Sequence, residues 1–220
     1  VPFCPGEILI PKENLEKWSV VACDQFTSQP EYWQAVEQEV GDTPSAYNII
    51  FPEAYLNTVD FDEKVASIHD NMKDYLRGGV FNTYRNCMVY VERTLKNGKT
   101  RRGVLGLLDL EEYDYTKGAK TLVRATEDTV IDRLPPRVKV RENAMLEVPH
   151  VMILIDDPEK TIIEQFEDVK ADREKLYDFD LSMGGGHITG YKMKGPDYMK
   201  VMHGCNELGT MENFSAKYNV

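Results

Sequence analysis

The chain has 220 residues, with 26 Lys and Arg against 37 Asp and Glu, and a formal net charge of −11 at pH 7. That acidic balance opposes the counterion release that drives duplex binding, so nucleic acid is excluded as an expected partner. No run approaches the ~18 apolar residues of a membrane helix, and the opening VPFCPGEILIPKENLEK lacks the layout of a signal peptide, so the expectation is a cytoplasmic protein without membrane contact.

A chain of this length buries roughly 70% of its unfolded surface without help from metal or disulfide. Residues 1–220 therefore read as a single α+β domain. The four cysteines, Cys4, Cys23, Cys87 and Cys205, are widely spaced without a C-x-x-C pair, which argues for buried or incidental thiols. The start at Val1 and the end at Val220 without a tail read as the N-terminal part of a longer protein.

The first helix is announced by Ser28-Gln29-Pro30-Glu31, a capping box with Pro in the first turn, and should run to about Gly41 with Trp33, Val36 and Val40 inward. Ser45 to Phe51 reads as a short strand closed by Pro52. A stronger helix follows Asp60: Phe61, Val65, Ile68, Met72 and Leu76 recur at helical spacing, and Gly78-Gly79 ends it. His69 flanks that stripe and reads as a solvent-edge or packing residue. Cys87–Leu95 and Gly103–Leu110, joined through Asn97-Gly98, carry the signature of a hairpin with a type I′ turn. Both arms are apolar on both faces, which predicts a central place in the sheet.

Val148 to Ile155 reads as another strand. Asp156-Asp157-Pro158 then caps a helix carrying Ile162, Ile163, Phe166 and Val169. Leu176–Met183 and His187–Met193 form a second hairpin across Gly184-Gly185-Gly186. A phosphate-loop reading of those glycines fails, because Tyr191 precedes Lys192 and the following residues read as strand. The end is a helix over Pro196–Glu207 with Tyr198, Met199, Met202 and Leu208 on its apolar side. These elements predict an α+β fold: a mixed, largely antiparallel sheet with a central β-hairpin and several flanking helices.

The segment from Arg124 to Arg141 departs from the acidic average. Arg124, Arg133, Arg137, Lys139 and Arg141 fall within eighteen residues, interleaved with Glu127, Asp128 and Asp132. Guanidinium forks donate paired hydrogen bonds in a plane and suit phosphate or carboxylate oxygens, and Thr129 can donate to the same group. The bland alternative is a salt-bridged surface strand on which Val138 and Val140 alternate with Arg137, Lys139 and Arg141. His203-Gly204-Cys205 lacks a third ligand at diagnostic spacing, so no metal site is expected.

Four blocks carry a resemblance: Lys17-Trp-Ser-Val-Val-Ala-Cys-Asp24-Gln-Phe-Thr-Ser-Gln-Pro, Tyr47-Asn-Ile-Ile-Phe-Pro-Glu53, Arg124-Ala-Thr-Glu-Asp-Thr129 through Arg137, and Pro149-His-Val-Met-Ile-Leu-Ile-Asp-Asp-Pro158. Together they make the chain resemble a bacterial family called Domain of Unknown Function 1015, over nearly all its length. That family is itself similar to the ParB and sulfiredoxin-like superfamily, whose members bind nucleotides and include free-serine kinases with an acidic residue and an Asp-Gly-x-His-type loop. No such loop occurs here. By the resemblance the family's acidic residue falls at Asp24. Its His-Glu-x-Thr block falls on Ala125 or Thr126, Glu127 and Thr129, without the histidine, and its Asp-Arg pair on Asp132 and Arg133.

The expectation is a domain that binds a phosphorylated small molecule or nucleotide, as part of a small-molecule kinase, with Mg²⁺ accompanying the nucleotide. Arg124, Thr129, Arg133 and Arg137 would hold phosphate, and Asp24 and Glu127 would serve as catalytic base or metal ligand. The alternative is a non-catalytic domain that pairs with a C-terminal half or with its own copy.

Overall fold

A computed structural model describes residues 3–20, 26, 29–56, 60–114, 116, 119, 121, 123 and 131–208. In chain order its elements are β1 (Phe3–Cys4), β2 (Gly6–Pro11), α1 (Leu15–Trp18), α2 (Pro30–Val40), α3 (Phe61–Arg77), β3 (Phe81–Cys87), β4 (Val89–Thr94), β5 (Thr100–Leu105), β6 (Leu107–Leu108), α4 (Leu134–Arg141), β7 (Lys175–Leu181), β8 (Gly186–Lys192) and α5 (Gly195–Leu208). Four strands form the main sheet in the order β5-β4-β8-β7; β2 pairs with β3 and β1 with β6. Every described pairing is antiparallel, and helices flank the sheets, so the fold is α+β.

The two long helices form where the apolar spacing places them. In α2, Trp33, Val36 and Val40 are buried; Ser28 lies outside the described residues, and Gln29 occupies the cap position without a side-chain bond. In α3, the Asp60 carboxylate accepts from the Glu63 N–H at 3.0 Å, and Val65, Ile68 and Met72 are buried. Gly79 adopts φ 64°, the left-handed stop that glycine permits.

The first hairpin is β4–β5, with a different turn from the one expected. Gly98 N–H donates to Leu95 O and Leu95 N–H to Lys99 O, and of the turn residues only Gly98 has positive φ, 79°. Two positive φ values are needed for type I′; one, at the third loop residue, makes a type I turn with a glycine bulge. β4 is central, paired on both sides, but β5 is the sheet's edge. The second hairpin, β7–β8, forms as expected, and His187 is a strand residue opposite Asp180.

Other expectations are corrected. Residues 46–49 make a 3-10 turn rather than a strand, because the Ser45 hydroxyl accepts from the Tyr47 N–H at 3.1 Å and so offers the backbone a local partner. The stretch after Asp157 folds as 3-10 turns over Glu164–Asp168 and Lys170–Asp172, although Ile162 and Phe166 are buried as foreseen and Asp157 does accept the Ile162 N–H at 2.8 Å. Residues 148–155 form no strand: no described strand pairs with them, and Val151, Met152 and Leu154 stand 77–81% exposed. On α5, Val201, Tyr198, Met202 and Cys205 face the core, whereas Met199 is exposed. No described helix is long and apolar enough to cross a membrane.

Candidate functional site

The basic segment turns a corner. Ile131–Arg133 form a 3-10 turn, and α4 begins directly after it, with Arg133 in the cap position. Pro135 and Pro136 sit in the first helical turn, where their missing N–H groups would have had no intrahelical partner and their fixed φ favours the helix. The half-exposed strand is thereby ruled out. On a helix, Arg133, Arg137 and Arg141 stand four apart and share one face, so the fold converts an alternating pattern into a cationic stripe.

Packing fixes where that stripe points. Val140 leans with Ala144, Leu146 and Val148 on the cluster of Ile49, Ile68 and Met72. His69 of α3 donates Nε2–H to the Val140 carbonyl at 2.8 Å, satisfying an acceptor in the last helical turn; the expected packing role of His69 is what the structure shows. Pro136 and Val140 are half-buried while Arg133, Arg137 and Arg141 are exposed. Arg141 donates to Glu147 at 3.0 Å and to the Pro149 carbonyl at 3.2 Å. Of the remaining expected site residues, Asp24, Arg124, Glu127 and Thr129 lie outside the described residues.

Sequence reasoning missed a second, denser charge network on the main sheet. Glu167 accepts from the Tyr90 hydroxyl at 2.7 Å and from Arg102, while Lys170 bridges Glu92 at 2.7 Å and Glu167 at 3.5 Å. The Tyr90 hydroxyl, helped by Arg102, holds the Glu167 carboxyl down at about 2, and burial raises the Tyr90 phenol. A carboxylate so completely satisfied stays ionised near neutral pH, and its bonds tie β4 and β5 to the turns over residues 164–172. These residues are scattered from 90 to 170, and no local spacing announces them.

On the neighbouring strands His187 bridges Asp180 through Nδ1 at 2.8 Å and Asp178 through Nε2 at 2.6 Å. Both carboxylates, Asp180 first, raise the imidazole, and Lys175 and then His187 lower Asp178. A cavity of about 230 Å³ opens between Lys12, Trp18, Pro44 and Val80, away from the arginine stripe, none of whose members lines it. Among the described residues no group of three or more His, Cys, Asp and Glu is placed to hold a metal ion, His203 and Cys205 included.

No curated protein and no solved structure matches the chain. Its pattern matches one family over residues 4–204, a span that includes both hairpins, α3 and the arginine corner. The chain belongs to that family, described as a protein of unknown function, DUF1015.

Proposed function

We propose that the domain binds a phosphorylated small molecule or a nucleotide at the corner where residues 131–133 run into α4. The observation that carries this reading is the placement of Arg133 and Arg137 on one exposed helical face, in a chain whose net charge is −11. The prolines of the first turn remove amide donors, so guanidinium groups rather than the helix N-terminus would grip the ligand's oxygens. α4 is held against α3 by Val140 and His69, which gives those groups a rigid base. Arg124 and Thr129 would add donors, and Asp24 and Glu127 would act as base or metal ligand. Mg²⁺ would accompany the nucleotide, coordinated by its phosphates.

Phosphoryl transfer depends mainly on positioning and charge neutralisation, and a small-molecule phosphotransferase of the ParB and sulfiredoxin-like kind is the reaction this set of groups would serve. Calorimetric titration of ATP, ADP and CTP with Mg²⁺ tests the reading, with Arg133→Ala/Arg137→Ala as the comparison. Heat in the parent that the double variant loses supports it, and no heat in the parent ends it.

A second reading, a non-catalytic interaction domain, rests on the uncharged run Val151–Ile155, in which Leu154 is 81% exposed. Contiguous exposed apolar surface of this kind marks interaction sites in soluble proteins. Light scattering across salt concentrations tests it; a strict monomer that captures no partner half counts against it.

A further inference from the structure

The most concentrated positive charge in the molecule lies on the β4–β5 hairpin, outside the arginine corner. Residues 93–102, RTLKNGKTRR, hold Arg93, Lys96, Lys99, Arg101 and Arg102 and no acid. Arg102 is engaged by Glu167 and Glu92. The other four have no carboxylate within ion-pair distance among the described residues; Arg93 donates only to the Gly185 carbonyl, at 3.0 and 2.8 Å. Arg93 and Arg101 are also directly opposite each other across the ladder, an arrangement that disfavours the sheet unless something negative shields it.

The same strand has an open edge. β5 pairs with β4 alone. The Leu95 N–H to Lys99 O bond sets the phase of the ladder: Arg93–Arg101 and Val91–Gly103 are hydrogen-bonded pairs, so the N–H and C=O groups of Thr100, Arg102 and Val104 point away from β4. Those outward groups meet no backbone partner among the described residues, and a side chain added at Gly103 would meet open space.

We propose that β5 is a docking edge for an acidic, extended segment of a partner protein, which adds a fifth strand and sets its carboxylates against Arg101, Lys99, Lys96 and Arg93. Main-chain bonds to Thr100, Arg102 and Val104 supply the pairing, and the unmatched cations select the sign of the partner's charge. Charge on an edge strand also guards against aggregation. Here both roles follow from one feature: Lys99 and Arg101 repel the β5 edge of another copy, while an acidic strand meets attraction instead.

The test uses the intact chain and fluorescence anisotropy with a labelled peptide of alternating Glu and Val, about ten residues long. Three probes are compared: the acidic peptide, the same peptide with Lys for Glu, and the acidic peptide N-methylated at alternate residues so that charge is kept and pairing lost. The acidic probe should bind at least about tenfold tighter than either control, and Lys99→Glu/Arg101→Glu should weaken it by about tenfold or more, with circular dichroism unchanged. Equal binding of the acidic and Lys probes overturns the proposal, and so does undiminished binding of the N-methylated probe, which leaves the protein unaltered. Nucleotide heat should persist in Lys99→Glu/Arg101→Glu, so failure at this edge is distinguishable from failure at the arginine corner.

Discussion

Removing the Asp197 carboxylate should destabilise the fold more than any single surface change. Asp197 opens α5 and is 7% exposed; Arg173 grips it with Nε at 2.7 Å and a second nitrogen at 2.8 Å, and the Lys194 N–H adds a third bond at 2.8 Å. Asp197 is the third residue of α5 and its carboxylate reaches back to the N–H ahead of the helix, so loss of that half of a capping box costs about 1 kcal/mol. Asp197→Ala also leaves the Arg173 guanidinium without its carboxylate partner, which adds to the loss. With a urea m-value near 3 kcal/mol/M for a chain of this size, the unfolding midpoint followed by circular dichroism should fall by at least about 0.3 M. Arg173→Met/Asp197→Leu should recover much of that loss, because an apolar replacement leaves no orphan charge.

The pH dependence has a defined sign. Arg173 lowers the Asp197 carboxyl below its ordinary 3.8, so the stabilisation is present above that value and is lost as pH falls through the depressed folded value. The gap between the parent and Asp197→Asn should therefore close in acid. A midpoint shift below about 0.3 M for Asp197→Ala, or a double variant worse than the single, would refute the reasoning.

Two further outcomes follow from the sheet. Tyr90→Phe should cost about 1–2 kcal/mol in urea unfolding, because Tyr90 is fully buried and its hydroxyl donates to Glu167; an unchanged unfolding midpoint would count against the network. In NMR titration His187 should lose its proton above the ordinary histidine value of 6.5, and Asp180→Asn should lower that midpoint. The stabilising contribution of His187 is complete below 6.5 and disappears as pH rises through the folded value; an unshifted midpoint would mean the two carboxylate contacts do not persist in solution.

The sequence by itself determined elements whose signals are local and mutually consistent. The Asp60 cap, the Val65–Ile68–Met72 stripe and Gly79 all act within one helix, and the two hairpins declare themselves through glycine between β-rich arms. Residues 148–155 and 134–141 had equally clear local signals, and tertiary structure overrode both. Val151 to Ile155 have strand propensity but no described strand to pair with, and propensity without a ladder leaves backbone groups to solvent. Val138 and Val140 alternate like a strand, yet the first-turn prolines and the docking of Val140 on α3 make a helix.

The candidate surfaces divide in the same way. Composition within residues 124–141 marked the arginines, but only the helix put Arg133, Arg137 and Arg141 on one face. The hairpin's five cations are just as visible in the chain, but only the strand order β5-β4-β8-β7 puts β5 at the edge of the described sheet and Arg101 opposite Arg93. Which strand becomes an edge, and which charges find a partner, depends on residues brought together from distant parts of the chain. Glu167 reaching Arg102 and Tyr90 is such a case, and no window of neighbouring residues contains it.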